Sequence, residues 1–170
     1  MTKSRKTAIC ALAVFIALAL ASATALAGEK VTITKFTATE EQLGIEDSGT
    51  VTFPGGNIHV RGEVSIVGWS SLEPRLDKFT FRVDVNANFN AESNGPMWGT
   101  FESIDNATEG KWVGSWHGEF TDESIGAFMH TGVGFGVGAF EGMQMKYACT
   151  YVGNTAVGVC EGRILETGKR

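Results

Sequence analysis

Proline is scarce in this chain, with three residues in 170, and no Pro-rich or low-complexity tract marks a linker. Beyond the first 27 residues there is no second long apolar run, so no further membrane-spanning helix is predicted. Heptads and sustained 3.6-residue periodicity are also missing, which excludes a coiled coil and argues against a helical domain. Lysine and arginine number 14 against 19 acidic residues, a formal charge of −5. That shortage of cations argues against nucleic acid and anionic membrane surfaces as partners. Histidine occurs only at positions 59, 117 and 130, with no His-x-His or His-x3-His spacing, so neither a metal nor another cofactor is expected. No lysine follows the glycine-rich stretch as in a P-loop, and no Gly-x-Ser-x-Gly elbow is present.

What is present begins with a leader. Lys3, Arg5 and Lys6 precede an apolar, small-residue run from Thr7 to Ala23, and Ala25-Leu26-Ala27 follows. This order predicts a secretory signal peptide over 1–27, cleaved between Ala27 and Gly28. Cys10 lies inside the apolar run, not at the cleavage point, so lipid attachment is not expected. The mature chain, 28–170, is then a single domain with its own core, secreted or periplasmic and not inserted in a membrane. Its two cysteines, Cys149 and Cys160, are an even count in an exported chain and predict one disulfide. The segment CTYVGNTAVGVC carries its turn signal, Gly153-Asn154, near its centre. A four-residue loop, Gly153 to Ala156, places the two cysteines directly opposite; a two-residue loop leaves them diagonal on one face.

Glycine, at 22 residues, is as abundant as proline is rare. The dominant period is two. Phe79, Phe81, Val83, Val85, Ala87 and Phe89 share one face, opposite Thr80, Arg82, Asp84, Asn86 and Asn88. Ile58, Val60, Val64 and Ile66 alternate in the same way against His59, Arg61, Glu63 and Ser65. Further strands are predicted near 30–38, 49–53, 97–104, 111–120, 127–140, 142–152 and 157–165, with a polar loop at 39–48. The fold class is all-β: an antiparallel closed barrel of about eight to nine strands, in preference to a sandwich because glycines inside strands suit barrel corners.

The stretch KWVGSWHGEF, 111–120, fits such a wall. Trp112, Gly114, Trp116, Gly118 and Phe120 share one face, and Val113, Ser115, His117 and Glu119 the other. Large and small residues alternating on an inward face fill the taper of a small barrel. In 133–139, glycines occupy one whole face, which admits close packing against the backbone. Trp112-x-Gly114-x-Trp116-x-Gly118, with Gly134-x-Gly136-x-Gly138-Ala139-Phe140-Glu141-Gly142-Met143, resembles bacterial exported β-barrels related to the allene oxide cyclase and dirigent superfamily. The resemblance covers residues 95–165. It implies a calycin-like antiparallel barrel of about eight strands around a hydrophobic central cavity, in a group that includes cyclases and stereochemical guides acting on apolar molecules.

The residues then offer candidate chemistry. Simple alternation puts Glu141 on the face of Val133, Phe135, Val137, Met143, Met145 and Tyr147. A carboxylate turned into an apolar lumen would serve as a general acid or base. Tyr147 and Tyr151 share the face of Met143, Met145 and Cys149, and their hydroxyls can orient a ligand. Trp112, Trp116 and Phe120 supply ring contacts. The expected function is binding of a small apolar molecule in the lumen. A cyclase or isomerase using Glu141 or a tyrosine is the alternative, and an envelope structural or interaction module with a packed interior is the third reading.

Overall fold

In the computed structural model residues 30–105, 109–122, 127–151 and 156–167 are described, and the predicted leader and the 153–155 turn lie outside them. The strands are β1 (Val31–Asp47), β2 (Thr50–Thr52), β3 (Ile58–Ser71), β4 (Phe79–Phe89) and β5 (Gly95–Asp105). β6 (Gly110–Asp122), β7 (Ala127–Gly138), β8 (Met143–Tyr151) and β9 (Val157–Thr167) follow. From β3 to β9 each strand pairs antiparallel with the next. β1 pairs antiparallel with both β9 and β3, which closes eight strands into a barrel; β2 is an extra short strand on the edge of β3. Among the described residues no helix is long and apolar enough to cross a membrane.

Two expectations fail, each for a local reason. The predicted loop at 39–48 is strand: β1 runs on to Asp47, because residues 38–47 pair with β3 as residues 31–41 pair with β9. Its polar composition reflects a strand that is exposed along nearly all of 41–47 and buries one acid, Glu40. The alternation predicted for β3 also breaks. A bulge between Val60 and Glu63, with Gly62 at φ 67°, shifts the register. Glu63, Ser65, Val67 and Trp69 therefore face the lumen, where Val64 and Ile66 were expected.

The β4 face of Phe79 to Ala87 and the β6 face of Trp112, Trp116 and Phe120 point inward as the period of two requires. One end of the barrel is filled. The 72–78 connection between β3 and β4 drops Leu76, fully buried, beside Phe79, and Trp112 stacks at 5.3 Å on Phe140. The Trp112 indole N–H donates to the Arg75 carbonyl at 2.9 Å, and its backbone N–H to Ser103 Oγ at 2.9 Å. Arg75 holds this connection through Glu73 at 2.6 Å and Glu166 at 3.4 Å. Cys149 and Cys160 are direct cross-strand partners at disulfide distance, the pairing that the four-residue loop predicts.

Trp112 thus serves the plug and is wholly enclosed. Trp112→Ala is expected to destabilise the barrel by about 3–5 kcal/mol, the range for emptying a buried aromatic site. Equilibrium denaturation, with the midpoint shift taken at constant slope, checks it.

Candidate functional site

The other half of the lumen is not filled. A cavity of about 360 Å³ lies between β1, β3 to β8 and Ala156, with exposed Gln42 and Ala156 and half-buried Glu63 on its lining. Trp69, Phe81, Phe101, Trp116, Phe128 and Tyr147 supply most of its aromatic wall. The space exists because small residues face large ones. A Cβ on Gly132 would run into the Tyr147 ring, and one on Gly114 into the β7 backbone and Phe101. The glycine-only face of β7 is thus an inward face on which rings lie flat against the backbone.

At the centre is an acid the sequence reading placed in a loop. Glu40 on β1 is 6 % exposed. Its Oε1 accepts from Tyr151 Oη at 2.5 Å and from His130 Nε2 at 2.8 Å; its Oε2 accepts from Trp69 Nε1 at 2.6 Å. Burial alone pushes the Glu40 carboxyl up. The hydrogen bond and charge of His130, with the Tyr151 and Trp69 hydrogen bonds, outweigh it and hold the group below its ordinary 4.5. An ionised carboxylate only accepts, so Nε2 of His130 carries the proton. The opposite ring nitrogen, Nδ1, is buried and has no partner among the described residues. Burial and the nearby Glu40 charge push the Tyr147 and Tyr151 phenols up, so both stay neutral hydroxyls.

Of the residues picked from sequence, Trp116, Phe120, Tyr147 and Tyr151 line the cavity, and Trp112 sits in the plug instead. Glu141 is not in the lumen. It lies exposed in the turn between β7 and β8, where its N–H donates to the Gly138 carbonyl at 3.0 Å. Positive φ at Gly138 and Gly142 makes this a tight turn that ends the alternation. On β7 the face assigned to Glu141 is moreover the outer one, with Phe135 and Val137 about half exposed, while on β8 Met145 and Tyr147 face inward. His117 points outward to Thr131 at 3.2 Å, while His130 points inward, so the histidines are not gathered. Cys149 Sγ lies 3.8 Å from Glu40 Oε2, and these atoms with Cys160 Sγ form a tight donor cluster. Sulfurs joined to each other offer no thiolate to a metal.

Sequence reasoning missed Glu40, Trp69, Glu63 and the inward placement of His130. For Glu40 a signal existed: Phe36-x-Ala38-x-Glu40 continues one inward face past the point where the strand was ended. No protein-family model, no curated protein and no solved structure matches the chain.

The depressed Glu40 carboxyl makes stability pH-dependent. A group whose folded value lies below its unfolded one contributes fully above about pH 4.5 and loses that contribution as pH falls through the lower folded value. Glu40→Gln leaves at least one buried donor facing an amide N–H and is expected to cost about 1–3 kcal/mol at pH 7. Thermal unfolding of both proteins from pH 7 to pH 3 checks this: the gap in Tm narrows below pH 4.5, and a gap independent of pH would contradict the linkage.

Proposed function

We propose that this protein is an exported carrier or receptor that binds one small, largely apolar molecule in the barrel lumen. The observation that carries the reading is the cavity of about 360 Å³, at the small end of ligand-site volumes, with an aromatic wall and one buried polar cluster. Rings give contact area, and the Glu40, His130 and Tyr151 group gives orientation. The resemblance to allene oxide cyclase and dirigent-like barrels, whose lumens receive apolar molecules, points the same way. Export fits the predicted leader and the disulfide.

One observation favours a second reading, cyclase- or isomerase-type chemistry on an apolar substrate. Glu40 fixes the tautomer and orientation of His130, as an acidic partner does for a general base. Glu40, not Glu141, then has the orienting role, and Glu40→Gln removes turnover while passenger binding persists.

Native mass spectrometry of 28–170, purified from an exporting host, is expected to show a stoichiometric small passenger or uptake of an apolar reporter dye. Val83 lines the lumen, so Val83→Trp fills it and lowers dye affinity by about tenfold or more with the circular dichroism of the barrel intact. A wild-type protein that takes up neither passenger nor dye overturns the reading.

A further inference from the structure

As lined by the described residues, the lumen is acidic and aromatic and holds no lysine or arginine. Among the described lining residues are two carboxylates, Glu40 and Glu63, and no lysine or arginine. Of the four described guanidiniums, Arg163 is exposed on β9 and the other three are engaged elsewhere. Arg75 serves Glu73 and Glu166 beside the plug. Arg61 donates to the Val60 and Ala87 carbonyls and to Asn88, and Arg82 to Glu46. Among the described lining residues His130 is the one able to carry positive charge, and it already faces Glu40. Whether His130 is neutral or charged, the lining remains net negative.

Three features bear on what such a space accepts. Glu63 Oε1 accepts from Ser65 Oγ at 3.0 Å, and its Oε2 has no partner among the described residues. The rings of Trp69, Tyr147, Phe81 and Phe101 meet edge to face, with centroids 5.0–6.0 Å apart, so the wall is a continuous set of π surfaces. In a neutral imidazole with Nε2 donating to Glu40, the buried Nδ1 is a lone pair that lacks a donor. An anionic head group meets two carboxylates and no free cation here, and its desolvation goes uncompensated. A cationic head group meets carboxylates, π faces and an open acceptor.

We infer that the lumen ligand is a small hydrophobic amine in its protonated form, held by the aromatic wall and the Glu40 and Glu63 carboxylates. This rests on the lumen-binding reading and names its ligand class. It excludes fatty acids and other apolar carboxylates, which barrels of this size would otherwise suit. The Glu40–His130 pair lies deep among the rings, and Glu63, half-buried near exposed Gln42 and Ala156, is the carboxylate an entering cation meets.

The test uses one apolar body with three heads: 1-naphthylmethylammonium, 1-naphthalenemethanol and 1-naphthoate. Each is titrated into 28–170 at pH 7 by calorimetry and by tryptophan fluorescence. The ammonium is expected to bind about tenfold or more tighter than the alcohol, with the carboxylate weakest. Glu63→Gln, an isosteric substitution at a half-buried position that keeps an acceptor for the Ser65 hydroxyl, is expected to weaken the ammonium several-fold and leave the alcohol unchanged. Naphthoate binding as tightly as the ammonium, or alcohol and ammonium binding equally, overturns the inference while the lumen-binding reading stands. If none of the three binds and no apolar dye is taken up, the lumen-binding reading fails and the inference falls with it.

Discussion

A carboxylate removed from water must be donated to from every side, and in this barrel that requirement falls on Glu40. Its three donors come from β3, β7 and β8. Its own strand, β1, pairs along its backbone with β9 and β3, with one further bond from the Gln42 N–H to the Ala156 carbonyl at 3.2 Å. The side-chain bonds to His130 and Tyr151 therefore reach across the lumen to strands that β1 does not pair with. Since β1 is the seam that closes the barrel, the same residue links the closure to the opposite wall. A one-residue slip of β1 would turn Glu40 to solvent and leave Trp69, Tyr151 and His130 without their acceptor. Apolar side chains tolerate such slips more readily, so one buried charge specifies register more sharply than the surrounding hydrophobic residues.

The distribution of bulk follows from that fixed point. At one end Leu76, Phe79, Trp112 and Phe140 fill the section completely, and the 72–78 connection seals it. At the other the rings stand against glycines. Tyr147 lies over Gly132, and Phe101 over Gly114 and Gly134. Rings pressed to the wall take up perimeter and leave the axis open, which is how a lumen with this many aromatic residues still encloses a cavity.

The strands were legible wherever period two ran uninterrupted. β4 and β6 carry clear alternation, and their inward faces were read correctly from Phe79 to Ala87 and from Trp112 to Phe120. The cross-strand Cys149 and Cys160 followed from the sequence signal Gly153-Asn154 between them. Legibility ended at backbone irregularities. The bulge at Gly62 inverts β3, so Glu63 and Trp69 could not be assigned inward from alternation. The tight turn at Gly138–Gly142 removes Glu141 from the face that a straight count gives it. The central acid was hidden for a different reason. A lone buried Glu amid polar neighbours has the composition of a loop, and only long-range pairing of β1 with both β9 and β3 makes it strand. The alternation Phe36-x-Ala38-x-Glu40 marks the inward face but not the partners, and Glu40 is 90 residues from His130 and 111 from Tyr151.

The disulfide belongs to this same constraint. Cys149 lies between Tyr147 and Tyr151 on the inward face of β8, and its sulfur is 3.8 Å from Glu40 Oε2. Tying Cys149 to Cys160 fixes β8 against β9, the other neighbour of β1. The strand that presents Tyr151 is thereby held in register with the strand that presents its acceptor, through β9 as intermediary. A disulfide bridging this short loop restricts the unfolded chain only moderately, by about 2–3 kcal/mol on the loop-entropy account. Its larger effect is positional. It holds Tyr151 Oη within hydrogen-bond reach of Glu40, so that oxidation of the cysteines and assembly of the polar cluster are two aspects of one closed geometry.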